Sequence, residues 1–141
     1  MKIRDVMTPN PRTVSPNDTI QAAAQIMQTE DTGVVPIVSN GRVLAVVTDR
    51  DIVVRVVADG KPYSSPVDSI ASHDVVCATP EMSTREASDL MSEHQIRRLP
   101  VVENDRLVGV VSIGDIAVKE GKDSRTGDTL QSISEGVKEK M

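Results

Sequence analysis

The sequence predicts an α+β fold built from two β-α-β-β-α repeats packed with pseudo-twofold symmetry. Three observations carry that prediction. The first is an ungapped internal repeat at an offset of 64 residues, which pairs Pro16 with Pro80, Ala23 with Ala87, Met27 with Met91 and Pro36 with Pro100. The same register continues through Asn40 and Asn104, Arg42 and Arg106, Val46 and Val110, Asp51 and Asp115, and Ile52 and Ile116. A register of this length with matching polar and apolar classes marks two copies of one supersecondary unit. The second is a change of period inside each copy, from helical spacing to short apolar runs. The third is Asn40-Gly41 between two such runs, a strong hairpin signal because both residues tolerate positive φ.

Each element of the first copy follows from local chemistry. Pro11-Arg12-Thr13-Val14 reads as a short extended segment, and Ser15-Pro16-Asn17-Asp18 as a turn that opens a helix. Over residues 19–29 the apolar positions Ile20, Ala23, Ala24 and Met27 recur at helical spacing, and Asp31-Thr32-Gly33 ends the helix. Residues 34–38 form a buried strand in which Pro36 belongs at a start or an edge. Residues 42–47 form its hairpin partner, and 49–58 the closing helix. The second copy repeats this with a helix over 82–93 and strands over 99–102 and 107–112. The expected organisation is a first repeat at 1–58, a linker at 59–69, a second repeat at 70–120 and a polar tail at 121–141. Leu130, Ile133 and Val137 in the tail fit one short amphipathic helix or plain disorder equally well. One repeat alone buries too little apolar surface to be stable; two packed together bury enough and create two symmetry-related clefts.

Composition removes several function classes. Hydrophobic residues make up 38% of the chain, but Tyr63 is the only aromatic, so no platform exists for stacking bases. A net charge of -5 also argues against a nucleic-acid backbone as partner. Cys77 is the single cysteine, which rules out an internal disulfide; Val75, Val76 and Ala78 around it suggest a small apolar filler in a strand. His73 and His94 lack the neighbours of a metal site and read as surface residues. No apolar stretch approaches a membrane span, so a cytoplasmic protein with no membrane partner is expected. There is no nucleophile-base pairing, no Gly-rich phosphate loop and no metal motif, so no enzyme is expected.

The candidate chemistry lies at the two closing helices. Val46-Val47-Thr48-Asp49-Arg50-Asp51-Ile52 runs from a buried strand into a helix, and Val110-Val111-Ser112-Ile113-Gly114-Asp115-Ile116 repeats it. Thr48 can cap the helix, with Asp51 in the first turn where the dipole favours an acid. A hydroxyl, an acid and free amides at a helix start also suit the sugar and phosphate of a nucleotide. From the residues alone, capping is the plainer role.

Val6-Met7-Thr8-Pro9, Val35-Pro36-Ile37-Val38, Asn40-Gly41-Arg42 and Thr48-Asp49-Arg50-Asp51 in the first copy, with Arg97-Arg98-Leu99-Pro100-Val101-Val102 and Ser112-Ile113-Gly114-Asp115 in the second, resemble a tandem pair of cystathionine-β-synthase-type (CBS) domains, a Bateman module. The resemblance covers residues 1–120. It implies a regulatory module, with no catalytic residues and no required cofactor or metal, that binds an adenosyl ligand such as AMP, ADP or ATP in its clefts. S-adenosylmethionine and NAD are less favoured ligands. It also implies a homodimer that signals to a client protein the sequence does not name; a dimeric scaffold or stress-response interaction protein with empty clefts is the alternative.

The resemblance further implies that each cleft mixes the copies. One combines Thr8, Pro9, Thr32 and Gly33 with Arg97, Arg98, Ser112 and Asp115. The other combines Gly33, Val34, Thr48, Arg50 and Asp51 with Ser72, His73, Ile96 and Arg97. Met7 could line an adenine pocket. Arg97-Arg98 stands where the first copy has Gly33-Val34, so the Asp115 cleft is expected to hold a phosphate better. Arg97 and Arg98 would equally serve as solvated strand-edge charges. The second copy departs from the pattern with Ile70-Ala71-Ser72-His73 in place of Val6-Met7-Thr8-Pro9, and with Gly114 in place of Arg50.

Overall fold

The computed structural model describes residues 1–120, so the expectation for a helix at 129–138 lies outside the described residues. The chain forms α1 (Ile3–Val6), β1 (Thr8–Pro9), α2 (Ile20–Glu30), β2 (Val34–Ser39), β3 (Arg42–Thr48), α3 (Asp49–Ile52), α4 (Thr84–His94), β4 (Arg98–Glu103), β5 (Arg106–Ser112) and α5 (Ile113–Glu120). α3 runs on into a π-helical turn, Val53–Val57, and a 3₁₀ turn covers Val67–Ser69. The described residues contain no helix long and apolar enough to cross a membrane.

Two compact units divide the chain. Among the described residues, the Thr48 unit holds 11–75 together with 105–107, and the Ser112 unit holds 1–10, 76–104 and 108–120. These units do not coincide with the sequence repeats. Each repeat's leading segment packs in the unit built by the other repeat. Ile3 (0% exposed) and Val6 (3%) join the core of Ala87, Met91, Leu99, Val101, Val111 and Ile116. Their counterparts at the 64-residue offset, Val67 and Ile70, are buried at 0% and 3% in the core of Ile20, Ala23, Val35, Ile37 and Val47. The stretch 59–69 expected as a linker therefore contains a core residue, Val67.

Within each unit local chemistry sets the elements. Thr19 caps α2 by accepting from the Ala22 amide at 3.1 Å, and Ser83 caps α4 by accepting from the Glu86 amide at 3.0 Å. Both helices end on a left-handed residue, Asp31 (φ 51°) and Gln95 (φ 55°). The hairpin turns likewise place Asn40 (φ 54°) and Gly41 (φ 80°), and Asn104 (φ 53°) and Asp105 (φ 63°), in the left-handed region that a two-residue turn requires.

β2 and β3 pair antiparallel, with Val34 opposite Thr48 and Pro36 opposite Val46. Val46 both donates to and accepts from Ser72, at 3.1 and 3.0 Å, so its polar groups face away from β2. The missing amide of Pro36 thus faces the outer edge, and no β2–β3 bond is lost. In the other unit β5 lies between β1 and β4, with Thr8 opposite Val110 and Pro9 opposite Gly109.

Two expectations are corrected. The stretch 11–14 is not a strand, since only Val14 bridges β2, at Ile37; the short strand that does form is Thr8–Pro9. Cys77 lies on irregular, half-buried backbone rather than in a strand, and that burial pushes its thiol above the ordinary range.

Gly109 shows how the leading segment is accommodated. A Cβ there would meet Met7 Sδ at 2.7 Å and the Thr8 carbonyl at 2.9 Å. The other unit has Ala45 and Ala71 at the matching positions, both buried. A large residue facing none is balanced by two small ones. We expect Gly109→Ala to cost about 1–3 kcal/mol as overpacking, and to cost less in a Met7→Ala background; chemical denaturation of the two single variants and the double variant measures this. Ile3→Ala and Ile70→Ala should each cost about 2–5 kcal/mol, whereas a leading segment that only lay on the surface would show almost no loss.

Candidate functional site

The two closing helices begin with the same reciprocal hydrogen bonds. The Asp51 amide donates to Thr48 Oγ1 at 3.1 Å, and the Thr48 amide donates to Asp51 Oδ2 at 2.9 Å. At the second site the Asp115 amide donates to Ser112 Oγ at 2.9 Å, and the Ser112 amide donates to Asp115 Oδ2 at 2.9 Å. Each is a capping box that satisfies two backbone donors a helix start would otherwise leave unpaired. Capping and ligand binding are compatible here. Capping uses one lone pair of a carboxylate oxygen and one of the hydroxyl. It leaves the second carboxylate oxygen to accept, and the hydroxyl hydrogen to donate. All of this sits at the positive end of a helix dipole.

Backbone register places one further residue beside each helix start. The Asp49 amide donates to the Gly33 carbonyl at 3.0 Å, and the Ile113 amide to the Arg97 carbonyl at 2.9 Å. Arg97 therefore occupies the position of Gly33 next to the capped turn, and Arg98 opens β4 where Val34 opens β2. Thr32 stabilises the approach to β2, its hydroxyl accepting from the Val34 amide at 3.4 Å. Thr8 and Pro9 pair with the strand that runs into Ser112, and Ser72 pairs with the strand that runs into Thr48. The structure thus gathers Thr8, Pro9, Arg97, Arg98, Ser112 and Asp115 in one unit, where Ile96 also lies, packed against the core. Thr32, Gly33, Val34, Thr48, Arg50, Asp51, Ser72 and His73 are gathered in the other.

The charged groups around the two carboxylates differ. In the Thr48 unit the Asp51 side chain is 15% exposed, and its Oδ1 lies 3.9 Å from Nε of Arg55. Arg55 also donates through Nη1 to the Ile70 carbonyl at 3.0 Å. His73 pairs with Asp68 at 2.8 Å, both exposed, which ties this residue to its own segment. Arg50 projects from an exposed position in the first turn. Position 119, equivalent to Arg55, carries Lys119, which is exposed and makes no ion pair among the described residues.

Sequence reasoning missed Arg55. The signal was available, because an arginine four residues after an aspartate on a helix faces it. Among the described residues no group of three His, Cys, Asp or Glu side chains could hold a metal ion. Two surface grooves of the Thr48 unit, of about 620 and 510 Å³, contain none of the predicted site residues.

Comparison with known proteins identifies the family and the fold. The sequence matches the CBS domain family over residues 3–58 and 67–119. It is 43% identical over 132 residues to the CBS domain-containing protein YhcV of Bacillus subtilis, covering 94% of each chain. A crystal structure of Hypoxic Response Protein I with two coordinated zinc ions superposes with a TM-score of 0.77 at 35% identity, over 84% of this chain and 98% of that one. The CBS domain pair of protein MJ0100, in complex with 5'-methylthioadenosine and S-adenosyl-L-methionine, gives a TM-score of 0.79 at 27% identity, over 87% and 98%. With two tandem matches and both capped helix starts inside them, the chain belongs to the CBS domain family, whose pairs are regulatory ligand-binding modules.

Proposed function

We propose that this CBS pair senses an adenosyl nucleotide, of the AMP, ADP or ATP type, and reports its occupancy to a partner protein. The observation that carries the reading is the duplicated capping box. Each helix start keeps a carboxylate oxygen for ribose hydroxyls and a hydroxyl donor for a phosphate oxygen. Bonds from ribose to an ionised carboxylate are charge-assisted and stronger than neutral ones. The MJ0100 pair, which holds two adenosine derivatives, supports the adenosyl class. Neither of those ligands carries a phosphate, so the phosphorylated form rests on the helix dipoles and on Arg97 and Arg98.

The two sites are unequal in this reading. Arg97 stands beside the Ser112 helix start where Gly33 stands beside the other. A guanidinium offers paired donors to a phosphate, and glycine offers no side chain. The Asp115 site is therefore the better one for a phosphorylated adenosine. Signalling follows by population shift: the ligand stabilises whichever conformation of the pair binds it more tightly, and only by that difference in affinity. The fold contributes binding and conformation, not chemistry.

A ligand panel tests the class. AMP, ADP, ATP, 5'-methylthioadenosine and S-adenosylmethionine are added to the chain and thermal unfolding is followed. A ligand at 100 times its Kd should add about 2.7 kcal/mol to native-state stability, raising Tm by several degrees. No shift with any of them at millimolar concentration would support an interaction protein with empty sites instead.

Asparagine variants test the site. Asp51→Asn and Asp115→Asn keep an oxygen to accept the capping amide but remove the charge. Calorimetric titration with AMP should show about a tenfold weaker affinity for Asp115→Asn, near the 1.4 kcal/mol expected when a charge-assisted bond becomes neutral, and a smaller loss for Asp51→Asn. Equal losses would contradict the inequality of the sites.

A further inference from the structure

We infer that Arg55 is a positioning residue that holds down the affinity of the Asp51 site by competing with the ligand for its carboxylate; this rests on the adenosyl-binding reading above. Asp51 has two oxygens. Oδ2 already accepts the Thr48 amide at 2.9 Å, so Oδ1, which accepts no hydrogen bond among the described residues, is the more available oxygen for a ribose hydroxyl. Arg55 approaches that same oxygen, with Nε at 3.9 Å, and is anchored from the other side by its 3.0 Å bond to the Ile70 carbonyl. The guanidinium thus links the site carboxylate to the leading segment that also carries Ser72 and His73. A ribose hydroxyl that donates to Oδ1 shares it with Arg55 or displaces the side chain.

Arg55 cannot repay that competition by holding the phosphate. It lies one helical turn beyond Asp51, on the side away from the helix start, whereas an anion is favoured at the first-turn amides. The second unit has no such competitor. Its equivalent residue, Lys119, pairs with nothing among the described residues, and Asp115 Oδ1 has no ion-pair partner there. The inequality of the sites therefore has two sources: Arg97 improves one, and Arg55 restrains the other.

The test isolates each site in the full chain. Asp115→Asn weakens the second site, so titration of that variant with adenosine, which lacks phosphate, reads mainly the Asp51 site. Adding Arg55→Ala should raise adenosine affinity about two- to fivefold, the modest size expected for a half-exposed ion pair. Arg55→Lys, which keeps the charge, should restore most of the restraint. In an Asp51→Asn background, Arg55→Ala should leave affinity unchanged. A merely structural arginine would give the opposite pattern, a loss of affinity in both backgrounds together with a lower Tm. Adenosine binding that Arg55→Ala leaves unchanged or weakens, with Asp51→Asn still lowering it, overturns the role of Arg55 alone. Adenosine binding insensitive to both aspartates, or absent throughout, overturns the adenosyl reading and the role of Arg55 with it.

Discussion

Burial of each leading segment in the core of the opposite repeat is the constraint on which the rest depends. Ile3 and Val6 complete one core and Val67 and Ile70 the other, at a few per cent exposure or less. Neither repeat, taken as a continuous piece of chain, owns a finished core. A single β-α-β-β-α unit of this size is already marginal, and losing two buried aliphatic side chains removes several kcal/mol. The exchange makes the pair the folding unit. It also sets chemistry, because the leading segments bring Thr8 and Pro9 beside the strand into Ser112, and Ser72 beside the strand into Thr48.

From that constraint follows a common backbone on which the two copies differ by single side chains. The backbone scheme is duplicated almost bond for bond: the amide that starts each closing helix donates to a carbonyl at matched positions, and each aspartate closes the same capping box. Against a fixed backbone, Gly33 against Arg97 and Arg55 against Lys119 are side-chain changes at equivalent points. Met7 with Gly109, and Ala71 with Ala45, show the same logic in packing: one copy sets a long side chain against none, the other uses two methyl groups.

Much of this was legible in the sequence. The capped helices over Ile20–Glu30 and Thr84–His94 and both hairpins lie within a residue or two of the expected bounds, because caps, helical periodicity and Asn-Gly chemistry are local signals. Thr48 and Asp51 cap as their spacing demands. The exchanged leading segments were not legible in the same way, since four residues with two aliphatics have no period to read. The repeat register held the clue: it pairs Ile3 with Val67 and Val6 with Ile70, apolar with apolar, and Val67 lies ahead of the point where the second copy was expected to begin. The π-helical turn had no signal. Val53–Val57 contains neither Gly nor Pro, and the 3.0 Å bond from the Ala58 amide to the Val53 carbonyl, five residues back, marks it.

The central claim is that an adenosyl ligand is held at the two capped helix starts. It is tested most directly by following backbone amide signals in a nitrogen-labelled sample titrated with AMP. The account predicts that the amides of Asp115 and Ser112 shift first, those of Asp51 and Thr48 at higher ligand concentration, and that distant core amides such as Leu99 move little. Saturable shifts elsewhere with these four amides unmoved would contradict it.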